Sequence, residues 1–264
     1  MTAATTAAAG RCSDLAIRSV TGVTLILIAV ACLVYGQDPF WLLLATATLV
    51  MMAEWASLIH AERWQMWLAF VGLTLALFLE QPHLDIPTAA AWYALGTATL
   101  CVAVVTRNIR LGAGMLYAGL PVLSLFYIHE QYDGIDLSFW TLAVVWATDI
   151  GAYFSGRAIG GPKLAPRWSP NKTWAGLIGG MISATLVGFG LLTVLHVQPR
   201  LAAFGGLLAV AAQAGDLFES MMKRRAGVKD SGWLLPGHGG VMDRLDGVVP
   251  VVCIVALIVA SGIL

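Results

Sequence analysis

Long apolar runs separated by short polar breaks are the main pattern along this chain. Most runs are about 20 residues long, the length of a helix that crosses the hydrocarbon core of a bilayer. Strands are not expected, because helices satisfy their own backbone in lipid and no alternating pattern of about ten residues appears. The pattern therefore predicts an all-α polytopic membrane protein with about nine transmembrane helices. The predicted helices lie near residues 19–36, 39–59, 64–80, 88–106, 111–128, 137–156, 173–197, 201–222 and 244–264.

The composition also indicates that much of the chain lies in a lipid bilayer. Of the 264 residues, 59% are hydrophobic and 11% are charged, and the mean hydropathy is +0.81. Soluble domains contain about 25% charged residues, so this chain cannot cover its surface with polar groups in water. We expect one integral-membrane domain over 1–264, with N-terminal helices in 1–130 and the helices that carry the polar motifs in 137–264. A net charge of zero argues against general nucleic-acid binding.

The basic residues fall on one side of the predicted membrane. With nine spans, fourteen of the fifteen Lys and Arg residues lie in loops on that side, and Arg200 is the exception. Acidic residues such as Asp38 and Glu80 lie in the opposite loops. By the positive-inside rule, the N-terminus is cytoplasmic, and so are the two longest polar loops, 157–172 and 223–243.

Two carboxylates, Asp149 and Asp216, lie inside predicted membrane helices. A charged group in such a helix is costly and is by default a candidate functional site. The alternative is a structural ion pair, for which Arg157 or Lys223 is available. Glu54 also lies in an apolar run, but its neighbours suit a position near the membrane interface, and we expect it to lie outside the site.

Asp216 belongs to a polar face of its helix. Asp216, Glu219, Ser220 and Lys223 follow the spacing i, i+3, i+4, i+7, so they share one face. That face carries acids at membrane depth and a basic residue at the cytoplasmic end.

A second pair of acids, Asp243 and Asp246, opens the last predicted helix. Carboxylates from two adjacent helix ends are hard oxygen ligands, which suit Mg²⁺, so Asp216, Asp243 and Asp246 are the candidate metal ligands. Zinc is not expected, because His238 is the one plausible histidine and the four cysteines are scattered. Asp243 and Asp246 could instead stabilise a helix N-terminus, but that alternative leaves Asp216 unexplained.

Basic residues and glycines accompany these acids. Lys223, Arg224, Lys229 and Arg244 can neutralise several phosphate charges. The glycine-rich run 237–240 allows the backbone to approach a ligand closely. This combination indicates a polyphosphate bound with Mg²⁺ at a membrane surface, as in phosphoryl or nucleotidyl transfer to a lipid.

The loop at 157–172 has a similar composition and ends in the sequence SPNKT at 169–173. Ser169 and Pro170 predict the N-cap and first residue of the following helix, whose free amides would then face the same region. Neither polar loop contains a Walker P-loop, and no GxGxxG follows a strand.

The C-terminal half carries one long motif: Ser220-x2-Lys223-Arg224-x4-Lys229-Asp230-x-Gly232-x3-Leu235-Pro236-x-His238-Gly239-Gly240-x2-Asp243-Arg244-x-Asp246. It resembles the signature of the phosphatidate cytidylyltransferases, also called CDP-diacylglycerol synthases. The segments at 149–157 and 169–176 resemble the same family. One departure is Ala175, which stands where the family pattern favours Glu.

The resemblance implies that CTP and phosphatidic acid react to give CDP-diacylglycerol and pyrophosphate, through attack of the phosphatidate oxygen on the α-phosphorus of CTP. It implies Mg²⁺ at Asp216 and Asp243, supported by Asp246, and leaves room for a second cation such as K⁺. His238 would either hydrogen-bond a phosphate or stabilise a turn. The expected catalytic residues are Asp216, Lys223, Arg224, Lys229, Asp230, His238, Asp243, Arg244 and Asp246. The expected substrate-binding residues are Asp149, Arg157, Ser169, Pro170, Asn171, Lys172, Thr173, Ser220, Gly239 and Gly240.

Two other functions stay open at this point. A CTP-dependent kinase of a polyprenol- or phytol-type lipid would transfer the γ-phosphoryl group and would need a general base. An ion-coupled transporter would place acids along a path across the bilayer, whereas the acids here cluster toward one face. We expect a protein of the bacterial inner membrane, with the active site facing the cytoplasm, the bilayer and both substrates as partners, no nucleic acid, and a size compatible with a homodimer.

Overall fold

The computed structural model describes residues 20–234 and 239–262, and these residues are mostly helical. The longer helices are α1 Val20–Tyr35, α2 Gln37–Leu58, α3 Arg63–Leu79, α4 Ala89–Thr106, α5 Ile109–His129, α6 Gly134–Ile159, α7 Trp174–Gly190, α9 Gly205–Arg225 and α11 Val248–Ala260. Two four-residue helices, α8 Pro199–Ala202 and α10 Met242–Leu245, precede α9 and α11. Two short strands, β1 Lys163–Ala165 and β2 Ser169–Thr173, follow α6.

The membrane character predicted from the apolar runs is confirmed in its coarse form. Within residues 20–234 and 239–262, five helices are long and apolar enough to cross a membrane: α2, α4, α5, α6 and α7 with the 3₁₀ turn that follows it. The apolar helices α1, α3 and α11 are shorter. The remaining predicted span overlaps α9, which contains Asp216 and Glu219 and ends in three basic residues. The number nine and the cytoplasmic N-terminus therefore stay predictions.

The expectation that the chain forms no strands is wrong in the 157–172 loop. Strands β1 and β2 pair in antiparallel fashion, with Lys163 opposite Thr173 and Ala165 opposite Ser169. The requirement that a segment satisfy its own backbone hydrogen bonds applies to backbone that faces lipid. The backbone groups of β1 and β2 hydrogen-bond to each other in a connection between helices. The hairpin matters because β2 carries the SPNKT sequence toward α9.

The predicted start of the seventh helix is also wrong. Ser169 and Pro170 lie in β2, and α7 begins at Trp174. Thr173 is the N-cap, with extended backbone angles and a side-chain Oγ1 that accepts a hydrogen bond from the Gly176 amide at 3.0 Å. Thr is a good N-cap, so the sequence offered two capping sites. Strand pairing engages the first of them, and the helix therefore starts at the second.

Close helix contacts fix the frame around the site. A Cβ atom at Gly179 of α7 would lie 1.9 Å from Ser155 Oγ of α6, so these two helices meet through a position that only glycine can occupy. Trp55 anchors α2 on α5, since its Nε1 donates to the Arg110 carbonyl at 2.8 Å. Tightly packed helices of this kind hold their polar side chains in fixed positions.

The buried apolar residues form two main clusters. One cluster lies among α5, α6, α9 and α11 and includes the fully buried Trp140. The other lies among α2, α3, α4 and α5 and also takes in Met242 of α10. The short helix α10, which comes late in the chain, is thereby packed against the N-terminal helices.

Candidate active site

Strand β2 brings a lysine onto the polar face of α9. Lys172 Nζ forms an ion pair with Asp216 Oδ2 and donates to Gln213 Oε1 at 2.9 Å. One turn further along α9, the Ser220 hydroxyl donates to Asp216 Oδ1 at 3.3 Å. The structure thus joins two segments that are about 40 residues apart, and it places Lys172, Asp216 and Ser220 in one group.

The end of α9 contacts the start of α10 through a second ion pair. Lys223 Nζ pairs with Asp243 Oδ1 and lies 3.1 Å from Glu219 Oε1. Asp243 Oδ2 accepts hydrogen bonds from the Ser231 amide at 2.8 Å, the Ser231 hydroxyl at 2.9 Å and the Gly240 amide at 2.8 Å. Burial raises the pKa of Asp243, but hydrogen bonds from Lys223 and the Gly240 amide outweigh it and hold this pKa at about 2. Asp243 is therefore ionised at neutral pH.

Two further acids lie near these ion pairs. Asp246 follows α10, and its carbonyl oxygen would lie 2.2 Å from a Cβ atom at Gly215, so the chain passes directly against α9 there. Asp246 is close enough to Asp216 and Asp149 to be affected by their charges. Asp149 of α6 is likewise close enough to Asp216 for their charges to interact. Helices α6, α9 and α10 and strand β2 therefore converge on a group of acids with two lysines.

The donor atoms of this group suit Mg²⁺ in chemical type, because they are hard carboxylate oxygens. Asp216 and Asp243 each already bind a cation, the ammonium group of Lys172 or Lys223. Within 20–234 and 239–262, no three His, Cys, Asp or Glu side chains approach closely enough to enclose a metal ion. A metal at Asp216 and Asp243 would thus take the place of the lysine ammonium groups.

Several of the predicted site residues lie at the surface. Arg157 is exposed and donates from Nη1 to the Tyr153 hydroxyl at 2.8 Å, within its own helix. Other exposed members of the predicted set are Pro170, Asn171, Arg224, Lys229, Asp230 and Arg244. Of these, Arg244 is close enough to Asp149 for their charges to interact. Exposed side chains of this kind are accessible to a charged substrate, and their roles stay predictions.

Three predicted residues have specific positions. Thr173 is buried, and its hydroxyl caps α7. Gly239 has φ +81°, and a Cβ atom there would lie 2.7 Å from Asp243 Oδ2. His238 lies outside the described residues.

Glu54 of α2 is the residue that the sequence analysis missed. It is buried and accepts hydrogen bonds from the Val241 and Met242 amides, which adjoin Asp243 in the chain. The expectation that Glu54 lies outside the site is therefore wrong. The signal was available, because a carboxylate within an apolar run is as costly at Glu54 as at Asp216.

Taken together, the fold and the polar group define a class: an apolar helical protein with a charged, phosphate-compatible site where its helices end. The sequence profile of the cytidylyltransferase family matches residues 16–261. The chain belongs to the cytidylyltransferase family.

Named relatives make the likeness more specific. A phosphatidate cytidylyltransferase of Pseudomonas aeruginosa is 34% identical over 268 residues, covering 93% of this chain and 97% of that protein. One from Haemophilus influenzae is 42% identical over 196 residues, covering 72% and 63%. One from Brucella suis is 53% identical over 146 residues, covering 52% of each chain. The alignments to the Brucella relatives thus span about half of their length.

Proposed function

We propose that this protein transfers the cytidylyl group of CTP to phosphatidic acid and releases CDP-diacylglycerol and pyrophosphate. The observation that carries the proposal is the meeting of β2, α9 and α10, where Lys172 pairs with Asp216 and Lys223 pairs with Asp243. The relatives named phosphatidate cytidylyltransferase support the same reaction. A site that combines acids, lysines and close glycine backbone suits a nucleoside triphosphate better than it suits an uncharged substrate.

In the proposed reaction, a phosphate oxygen of phosphatidate forms a bond to the α-phosphorus of CTP. The bond between that phosphorus and the bridging oxygen of the β-phosphate breaks, and pyrophosphate leaves with the electron pair. An ionised phosphate monoester is already a nucleophile, so no side chain has to remove a proton. The protein contributes alignment of the two phosphates and neutralisation of negative charge.

Asp216 and Asp243, with Asp246 in support, would hold Mg²⁺. When bound, the metal ion supplies charge neutralisation at the phosphate oxygens. Lys172 and Lys223 lie on the two acids that would take the metal. Their ammonium groups are therefore positioned to pair with substrate phosphates, while exposed Arg224, Lys229 and Arg244 would attract CTP from solution.

The location of the site follows from the charge pattern of the loops. Both polar loops lie on the side of the predicted membrane that carries most of the basic residues. We therefore place the site at the cytoplasmic face of the bacterial inner membrane. Phosphatidate would then reach it from the adjacent leaflet. A homodimer is compatible with this arrangement, and K⁺ could accompany Mg²⁺.

The test uses purified protein with CTP labelled either at the α-phosphorus or at the γ-phosphorus. With phosphatidate as acceptor, the α-label should appear in the lipid and the γ-label should appear in pyrophosphate. Diacylglycerol, which lacks the phosphate nucleophile, is the control acceptor and should take no label. Lipid that carries the γ-label, with the α-label left in CDP, would instead identify a lipid kinase and contradict the proposal.

A further inference from the structure

Glu54 of α2 accepts hydrogen bonds from residues that lie close to Asp243 in the chain, far from Glu54 in sequence. Its Oε1 accepts the Val241 amide at 2.8 Å, and its Oε2 accepts the Met242 amide at 2.7 Å. The Ser231 hydroxyl lies 3.1 Å from the same Oε2. These partners are 177 to 188 residues away from Glu54 in the chain.

The burial of Glu54 makes these hydrogen bonds necessary. The residue is only 7% exposed, and a buried carboxylate is costly unless donors surround it. The three donors are the Ser231 hydroxyl and the Val241 and Met242 amides, and none of them belongs to α2. Trp55, the next residue, fixes α2 on α5 through its bond to the Arg110 carbonyl. Glu54 is therefore a rigid acceptor for Ser231 and for the amides at the start of α10.

Two glycines allow the chain to approach this carboxylate. A Cβ atom at Gly232 would lie 2.6 Å from Glu54 Oε1, and one at Gly240 would lie 2.5 Å from the same oxygen. Both distances are too short for a real side chain. The glycines at these positions of the long motif thus have a structural reason, which is close contact with Glu54.

Glu54 and Asp243 share the same set of donors. Of three consecutive amides, Gly240 donates to Asp243, while Val241 and Met242 donate to Glu54. The Ser231 hydroxyl lies between the two carboxylates, 2.9 Å from Asp243 Oδ2, and can give its one proton to either. A displacement of these donors from Glu54 would therefore also displace Asp243.

We propose that Glu54 is a positioning residue that holds Ser231, Val241 and Met242 through its two carboxylate oxygens and so fixes Asp243 opposite Lys223. The expected effect of Glu54 on the rate of cytidylyl transfer rests on the proposed function. Its effect on the position of Val241 and Met242 does not. Glu54 does not touch the reacting atoms in this account. It acts through the backbone amides next to Asp243.

The first test compares Glu54→Gln with Glu54→Asp. Gln keeps the size of the side chain but turns one acceptor oxygen into a donor that faces an amide, so kcat should fall about 10- to 100-fold. Asp keeps both acceptors on a shorter chain and should retain more activity than Gln. If Glu54 only filled space, the isosteric Gln would be the milder change, and that order would overturn the proposal.

The matched control is Glu80→Gln. Glu80 is also a buried carboxylate of the N-terminal half, 6% exposed, and lies at the end of α3. Within the described residues, its carboxylate oxygens accept no hydrogen bond. Its replacement should leave kcat within about twofold of wild type. An equal loss in both variants would assign the effect to general destabilisation and would overturn the positioning role.

The second test needs no activity. Hydrogen exchange in wild type and Glu54→Gln, without substrates, should show amide exchange at Val241 and Met242 about tenfold faster or more in the variant. Peptides from α6 and α7 should exchange as in wild type. Unchanged exchange at 241 and 242, or faster exchange throughout the protein, would contradict the inference. Faster local exchange in a protein that never labels phosphatidate would leave the positioning role intact and reject the proposed reaction.

Discussion

The two lysine–aspartate pairs beside α9 have the same chemistry and different surroundings. The Lys223 and Asp243 side chains are enclosed, at 13% and 4% exposed, and Asp243 accepts three more hydrogen bonds from Ser231 and Gly240. The Lys172 and Asp216 side chains are more open, at 17% and 32% exposed. Besides the ion pair with Lys172, Asp216 accepts a long hydrogen bond of 3.3 Å from the Ser220 hydroxyl.

This difference in exposure indicates that the two ion pairs have different roles. A buried ion pair whose carboxylate accepts three further hydrogen bonds is costly to break, so we expect Asp243 to be a framework residue as well as a candidate metal ligand. A partly exposed pair exchanges its partners for solvent or ligand at small cost, so we expect Asp216 to be the acid that a substrate or metal reaches first. Three substitutions test this contrast, in order of decreasing effect on stability.

The largest effect is expected for Asp243→Asn. A neutral amide cannot balance Lys223, and its NH₂ group would face backbone amides, so the free energy of unfolding should fall by about 3 kcal/mol. Cytidylyl transfer should be lost as well. Denaturant unfolding in mixed micelles, followed by circular dichroism, measures the change. Wild-type stability in this variant would remove the distinction between the two pairs.

An intermediate effect is expected for Gly240→Ala. The new methyl group would meet Ser231 Oγ at 2.2 Å and Glu54 Oε1 at 2.5 Å, so the chain at Gly240 must shift, at a cost of about 1–3 kcal/mol. The same unfolding assay measures it. Gly96→Ala is the matched control, because nothing lies within 4 Å of a Cβ atom there and the position is within α4. A loss in the control equal to that of Gly240→Ala would show that close contact is not the cause.

The smallest effect on stability is expected for Asp216→Asn. Because the pair with Lys172 is partly exposed, the free energy of unfolding should change by less than about 1 kcal/mol. Turnover, by contrast, should fall about 10²- to 10³-fold, since a carboxylate that would hold Mg²⁺ beside the substrate phosphates becomes a neutral, weaker ligand. Parallel unfolding and rate measurements separate the two effects. A large loss of stability here would make Asp216 a framework residue like Asp243.

Much of this site could be predicted from the sequence, because its residues carry local signals. Asp216 and Ser220 are one helical turn apart, so their shared face follows from spacing alone. Asp243 and Lys223 lie in one continuous polar stretch between apolar helices. The two polar loops were predicted on the same side of the membrane, but the ion pair between Lys172 and Asp216 was not predicted.

The remainder depended on a long-range contact in one case and on strand pairing in the other, and the helical pattern of the sequence reports neither. Glu54 looked like a residue near an interface because its donors lie in a segment more than 170 residues away. The start of α7 was misplaced because pairing with β1 determines whether Ser169 is a cap or a strand residue. In both cases a contact outside the helix itself decided between two locally reasonable states.

The most direct test of cytidylyl transfer at this site compares wild type with Asp216→Asn, both purified and shown to be folded, using α-labelled CTP, phosphatidate and Mg²⁺. The wild type should place label in CDP-diacylglycerol, and the variant should do so about 10²- to 10³-fold more slowly. Equal labelling of the lipid by both proteins would contradict the assignment of the reaction to these acids.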